Sequence, residues 1–388
     1  MAKLKIGDTP RRVEDIRFLT GAGCYLDDMQ LDNMTHAVVL RSPHAHADIR
    51  SIDTAAAIGV AGVVAILAGK DLAIGGIGAL QPYEQVNIYS NEPFHFPTQY
   101  PLAKDRVRYV GEPIALVIAE TPEQACDAAE QINVDYVPLP AKTRIQDALN
   151  SGDTSDICLN WSAGDRRAAN VAFEAAAHIT RLDFRNHRIV TNSMEPRGGI
   201  GEFDATTGRY TLHISAQSLH MARDRVAETL GVDATMVRLI APDVGGGFGV
   251  KNFMYPEMVL LCWAARVAGR PVKWINSRSD GFVSDHQARD NDAHAELALD
   301  ASGNFLALRV QSFGNLGAYL TGSMARIFTE QFVKLPGGPY RIPAIRVDVS
   351  AVYTNTVPTG VTRGPGFSEF ANIMERLVDR AARETGQK

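Results

Sequence analysis

The chain has 388 residues, 45% hydrophobic and 21% charged, with a formal net charge of −5. That length and apolar content allow two or more domains with real cores, while the acidic balance and the lack of any Lys/Arg run disfavour a nucleic-acid partner. The most apolar windows, "VVAILAG" and "MVLLCWAARVAG", are too short to cross a bilayer, and no apolar stretch follows Arg11 and Arg12, so the expectation is a cytoplasmic protein with no membrane partner.

In chain order, "HAVVLR" (36–41) reads as a strand and "RSPHAHADIRSIDT" as turn and loop. "VVAIL" (63–67) and Ile114 to Ala119 read as further strands. "TPEQACDAAEQI" has the marks of a helix start: Thr121 at the cap, Pro122 at the first position and Glu123 in the first turn. "NVDYVPLP" returns as a strand. Residues 141–176 are polar and weakly periodic, and read as a linker.

Beyond it, "HITRLDFRN" and "RYTLHISAQ" alternate like strands around the turn "DATTGR". "SLHMARDRVAETLG" reads as an amphipathic helix ending at Gly231, and "VRLIAPDV" as a strand entering a glycine run. "YPEMVLLCWAARVAG" reads as a buried helix. "RPVKWIN", "AHAELALD", "FLALRVQSFGN" and "IRVDVSAVYTN" complete a strand-rich unit. Cys24, Cys126, Cys158 and Cys262 lie far apart, with neither CxxC nor zinc spacing, and suit structural thiols.

The run "DVGGGFGVKN" (243–252) marks tight backbone or a close ligand. A dinucleotide fingerprint would need glycine at Val250 or Asn252. A P-loop would need Lys251 between a glycine and Ser or Thr. Both fail, and from the residues alone a structural turn and a ligand loop stay open.

Several segments together resemble one family: "RRVEDIRFLTGAGCYLDD", "RSPHAHADIRSIDT", "VGEPIALVIAETPEQACDAAEQINVDYVPLP", "APDVGGGFGVK", "RPVKWINSRSD" and "YTNTVPTGVTRGPG". Their order and content resemble the molybdopterin-binding large subunit of the xanthine dehydrogenase/aldehyde oxidase family. The bacterial branch is especially similar, with its carbon monoxide dehydrogenases and N-heterocycle hydroxylases. The resemblance implies an α+β chain: an N-terminal arm (1–17), an α/β hammerhead domain (18–140), the linker (141–176) and the first half of the molybdopterin-binding domain (177–388). In that family a molybdenum ion, held by molybdopterin or its cytosine dinucleotide form, hydroxylates an electron-poor C–H carbon of an aldehyde or N-heteroaromatic ring. The oxygen comes from water, a glutamate is the base, and electrons leave through [2Fe-2S] clusters to FAD on an iron–sulfur and an FAD subunit.

By resemblance, the residues around molybdenum, none a direct ligand, are Gln217, Gly247, Phe248, Gly249 and Arg363. Gln217 is a neutral donor to an oxo group, Gly247 to Gly249 offer bare backbone, and Arg363 is the cation of a second cofactor loop. Asn252 and Pro365 fall in the substrate pocket, where purine-oxidising members carry a glutamate and an aromatic residue; this disfavours xanthine. Gly364 stands where copper-dependent enzymes carry a cysteine. Glu195, in "NSMEPRGG", reads as loop architecture. The family's subunit is about twice as long, and its catalytic glutamate lies in the other half, so no catalytic residue is expected in this chain. A second chain completing the site, a truncated gene product and a fragment remain open, as does a non-catalytic remnant keeping only a partner-binding surface.

Overall fold

A computed structural model of the chain describes residues 5–10, 12–87, 90–325, 327, 334 and 337–387; Arg11 lies outside them. The strands are β1 (Thr35–Arg41), β2 (Ala47–Asp53), β3 (Val63–Ala68), β4 (Arg106–Val107), β5 (Pro113–Ala119), β6 (Asn133–Pro138), β7 (Ile157–Gly164) and β8 (His178–Asn186). They continue as β9 (Gly198–Asp204), β10 (Arg209–Ile214), β11 (Val237–Ile240), β12 (Val272–Ile275), β13 (Asn291–Leu299), β14 (Phe305–Asn315) and β15 (Ala344–Val352). The helices are α1 (Asp15–Leu19), α2 (Ala55–Ile58), α3 (Pro122–Glu130), α4 (Ile145–Asn150), α5 (Arg166–Glu174), α6 (Leu219–Leu230), α7 (Pro256–Ala268), α8 (Arg278–Ser284) and α9 (Phe367–Thr385).

An apolar run such as β5 must be covered on both faces, and all of its residues are buried. It lies inside a seven-stranded sheet of order β11-β10-β9-β12-β1-β5-β3. This sheet crosses the expected domain boundary, because β1 pairs in parallel with β12. The second sheet has five strands, in the order β7-β15-β14-β13-β8, and a three-stranded sheet β4-β2-β6 flanks the first unit. Helix α3 starts at the expected cap, with Thr121 accepting from the Gln124 amide. Helix α7 is apolar nearly all round and packs into the core with Leu212, Val226 and Trp274. Helix α9 buries Phe370, Ile373, Met374, Leu377 and Ala381, a helical stripe laid against the second sheet. Among the described residues, no helix is long and apolar enough to cross a membrane.

Three expectations are corrected. Residues 47–53, read as loop, form β2, which pairs with β4 and β6. Residues 141–176 are not a plain linker: they hold α4, α5 and β7, an edge strand on β15. Their weak signal has two causes. β7 alternates exposed Asn160 and Ser162 with partly covered residues, and α5 buries Ala169 and Phe173 against alanines of the sheet. The turn DATTGR joins β10 not to HITRLDFRN, which is β8 of the second sheet, but to β9, a strand hidden in the sequence because it reads GGIGEFD. A Cβ on Gly201 would lie 2.3 Å from the Leu261 carbonyl oxygen of α7, and one on Gly199 would lie 2.7 Å from a Leu261 methyl carbon. The glycines are there because α7 presses on the strand.

A buried ion network joins the two units. Glu257, in the first turn of α7, takes Arg41 Nη2 of β1 at 2.8 Å on one oxygen and Arg197 Nη1 at 3.0 Å on the other. Arg197 Nε also donates to Asp285 at 2.6 Å. Burial alone would raise the Glu257 carboxyl, but Arg197 and Arg41 outweigh it and bring it from 4.5 to about 2. A depressed carboxylate contributes stability above its unfolded pKa, and that contribution is lost as pH falls from 4.5 towards about 2. Glu257→Gln, which leaves buried arginines short of a partner, is expected to lower stability at pH 7 by about 3–5 kcal/mol. It should also flatten the pH dependence in that window. Urea unfolding from pH 2 to 7 checks both; equal midpoints for variant and parent would contradict the assignment.

Candidate functional site

The loop between β11 and α7 contains the glycine run, and its glycines mark where other segments come close. A Cβ on Gly245 would lie 2.4 Å from Glu195 Cβ, one on Gly247 2.5 Å from Gln217 Oε1, and one on Gly249 2.5 Å from the Val361 carbonyl oxygen. Gly246 and Gly249 have φ of +97° and +107°. Between Gly247 and Gly249, Phe248 is held at φ +51°, an uncommon place for a bulky residue, and is 50% exposed.

Three loops meet there. Gln217, after β10, accepts the Gly249 amide on Oε1 at 2.8 Å, and its own amide donates to the Lys251 carbonyl at 2.8 Å. Gln217 therefore does not cap α6; its side chain serves the glycine loop. Asn252 donates its amide to Gly249 O at 3.0 Å and accepts the Ser218 hydroxyl on Oδ1. Arg363, after β15, donates its backbone amide to Phe248 O at 2.8 Å. Arg289 reaches the carbonyls of Thr362 and Arg363, at 2.9 and 3.1 Å, and steadies that loop.

The structure thus gathers Gln217, Gly247 to Gly249, Asn252 and Arg363 into one cluster. It does so on an open surface: Gln217, Phe248 and Arg363 are all exposed. The Arg363 guanidinium makes no hydrogen bond or ion pair among the described residues. Pro365 is partly buried in the turn into α9, and none of the contacts joining the loops runs through it. Among the described residues no group of three or more His, Cys, Asp or Glu could hold a metal ion by itself.

Beneath the surface lies a network that sequence reasoning missed. Glu195 Oε2 accepts the Gly245 amide and Lys251 Nζ, each at 2.8 Å, and also the Ser215 hydroxyl. Lys251, whose side chain is 1% exposed, also donates to Ser215 Oγ at 2.8 Å. Burial pushes the Glu195 carboxyl up, but the bonds from Lys251, Ser215 and Gly245 hold it below the usual range. Burial also pulls the Lys251 ammonium down, and Glu195 restores only part of this. The Ser193 hydroxyl, next to Gly246, is buried without a hydrogen-bond partner. Lys251 drew notice only as a failed P-loop lysine and Glu195 only as loop architecture. The available signal was a lysine closing a glycine run that leads straight into a buried helix, where it needs an acid.

The fold and the glycine loop place the chain in a class of mixed α/β proteins that sequence comparison resolves. Residues 20–140 match the family described as "Aldehyde oxidase and xanthine dehydrogenase, a/b hammerhead domain", and residues 149–388 match "Molybdopterin cofactor-binding domain". The chain belongs to the xanthine dehydrogenase/aldehyde oxidase family of molybdopterin-binding large subunits. It is 35% identical over 391 residues to 6-hydroxypseudooxynicotine dehydrogenase complex subunit gamma of Paenarthrobacter nicotinovorans, covering 98% of this chain and 48% of that one. The crystal structure of quinoline 2-oxidoreductase from Pseudomonas putida 86 superposes with a TM-score of 0.90 at 35% identity, covering 98% of this chain and 49% of that one. The chain thus spans about half the length of these relatives. Nicotinate dehydrogenase large molybdopterin subunit of Eubacterium barkeri differs in this respect: at 28% identity, the match covers 98% of this chain and 86% of that one.

Two glycines separate steric need from backbone need. Gly249 has φ +107° and a carbonyl in the way of any Cβ, whereas Gly364 has φ +74° and open space. Gly364→Ala is expected to cost about 1–2 kcal/mol for the left-handed backbone alone. Gly249→Ala should cost roughly 2–5 kcal/mol, because overpacking adds to it. Denaturant unfolding of the two variants checks the order; equal losses would contradict the close approach of residue 361.

Proposed function

We propose that this chain supplies the first set of molybdenum-cofactor contacts in a hydroxylase that oxidises an aldehyde or N-heteroaromatic C–H. The observation that carries this reading is the meeting of the Gln217 carboxamide, the backbone of Gly247 to Gly249 and the Arg363 loop, three segments distant in sequence, at one glycine run. The residues fit a large polar cofactor. Side chains at Gly247 and Gly249 would push away Gln217 and the residue 361 carbonyl, which shape this surface, and the buried Ser193 hydroxyl lacks a partner among the described residues. When bound, the cofactor supplies two-electron oxidation with an oxygen atom drawn from water.

The chain's own groups would position it. With Oε1 committed to Gly249, Gln217 has its Nε2 protons to offer, a donor with no charge to desolvate. Gly247 to Gly249 let the backbone approach closely, and Phe248 stands beside them. Arg363 has its guanidinium free to hold an anionic or oxo-rich group. Asn252, with Oδ1 taken by Ser218, keeps Nδ2 protons for an acceptor such as a ring nitrogen or carbonyl. An uncharged amide here, where purine-oxidising members carry a glutamate, disfavours xanthine against an N-heteroaromatic or aldehyde substrate, and the likeness to quinoline 2-oxidoreductase supports the same choice. Pro365, partly buried in the turn into the last helix, is proposed for the same substrate pocket.

The general base and the remaining cofactor contacts belong to polypeptide beyond these residues. A second chain is one source, and the comparable length of the Eubacterium barkeri subunit supports it. An iron–sulfur and an FAD subunit, with [2Fe-2S] clusters and FAD, complete the electron path. The cofactor is molybdopterin or its cytosine dinucleotide, and the complex is cytoplasmic.

Purification of the chain with the polypeptide that completes the site tests this reading. Stoichiometric molybdenum and pterin are expected, with dye-linked oxidation of quinoline or an aldehyde faster than of xanthine. The chain alone should show no turnover, since an acid–base group contributes roughly 10²–10⁴ in rate. A complex without molybdenum, or with xanthine as its best substrate, would contradict the proposal.

A further inference from the structure

We infer that Glu195, Lys251 and Ser215 are positioning residues that preset the glycine loop and Gln217 for the cofactor; the inference rests on the molybdenum reading above. One carboxylate oxygen organises both ends of the loop. Glu195 Oε2 takes the Gly245 amide at the start and the Lys251 ammonium at the end, each at 2.8 Å, together with the Ser215 hydroxyl two residues before Gln217. Lys251 then acts twice. Its side chain holds Glu195 and Ser215, and its carbonyl takes the Gln217 amide at 2.8 Å. Gln217 in turn closes on the Gly249 amide at 2.8 Å. The path from the partly buried carboxylate to the exposed Gln217 carboxamide is thus continuous, linked by hydrogen bonds through Lys251 and Ser215.

The need for such a device follows from composition. Gly245, Gly246, Gly247 and Gly249 lose more backbone freedom on ordering than any other residues, and Phe248 sits at positive φ. Left to themselves these residues would spread over many conformations, and a cofactor would have to order them as it bound. A carboxylate suits the task because it accepts several bonds at once and donates none. Glutamine could keep an acceptor towards Lys251 only by turning its NH2 towards the Leu26 amide, itself a donor. The pair is also neutral overall, so it fixes the loop without placing a net charge under the surface where Gln217 acts.

The test uses the full chain and its complex with the completing polypeptide. The variants are Lys251→Met, Glu195→Gln and the double variant E195Q/K251M. The double variant leaves no lone buried charge, so it guards against simple unfolding. Leu308→Ala, in the core of the second sheet, serves as a destabilised control away from the loops. Hydrogen exchange reads the Gly245 to Val250 amides in the unloaded chain, and metal analysis reads molybdenum in the complex.

Exchange in this segment is expected to rise about tenfold or more in Lys251→Met and in the double variant, the loss of a charge-assisted hydrogen bond. Molybdenum content should fall in parallel, while Leu308→Ala changes neither. Parental exchange and molybdenum in the double variant would overturn the positioning role. If the parent complex also lacks molybdenum, the cofactor reading itself falls, and the inference with it.

Discussion

The structure depends on one buried cation, Arg197. Its guanidinium lies between Glu257 and Asp285 and over the ring of Tyr255, 3.7 Å from the centroid. Taking such a charge out of water is expensive unless its partners are close and fully hydrogen-bonded. Here they come from the start of α7 and the end of α8, and Glu257 in turn holds Arg41 of β1. The network can close only if the hammerhead strand, the α7 helix and the second unit are docked together. It also reaches the site. Tyr255 donates its hydroxyl to Val250 O at 2.8 Å and accepts the His286 amide at 3.1 Å. The His286 imidazole stacks on that ring, and burial, then the Arg197 charge, pulls its pKa down to about 3, so it stays neutral there.

The glycine loop is therefore held twice from below, at Val250 by Tyr255 and at its two ends by Glu195 and Lys251. What it presents upward follows from strand ends. Gln217 follows β10 and the glycine run follows β11, neighbours in the seven-stranded sheet. Arg363 follows β15 of the other sheet. Loops from both sheets thus meet at the glycine run, carried on a rigid scaffold. That support fixes the loop before any ligand arrives.

Parts of this were legible in the chain. β5 and α3 could be read from an apolar run and a Thr-Pro cap, and α7 from a long apolar stretch ending in glycine. β9 could not, because its glycines answer to the pressure of α7 and carry no alternation. Residues 141–176 could not, because short alanines and an edge strand give little periodicity. At the site, the motifs pointed to Gln217, the loop and Arg363, and the structure joins them. The contact at Arg363, however, is made by its backbone amide, which no side-chain pattern reveals. Lys251 and Glu195 stand 56 positions apart, and only the fold pairs them. Pro365 lies near the cluster in sequence without taking part in the contacts that hold it.

The three loops are proposed as part of a molybdenum site. Crystals of the assembled complex, measured at the molybdenum absorption edge, test it directly. One anomalous peak is expected in contact with the Gln217 carboxamide and the Phe248–Gly249 backbone, on the exposed side of the loop. A peak bound elsewhere on the chain, or none in a complex that oxidises its substrate, would contradict it.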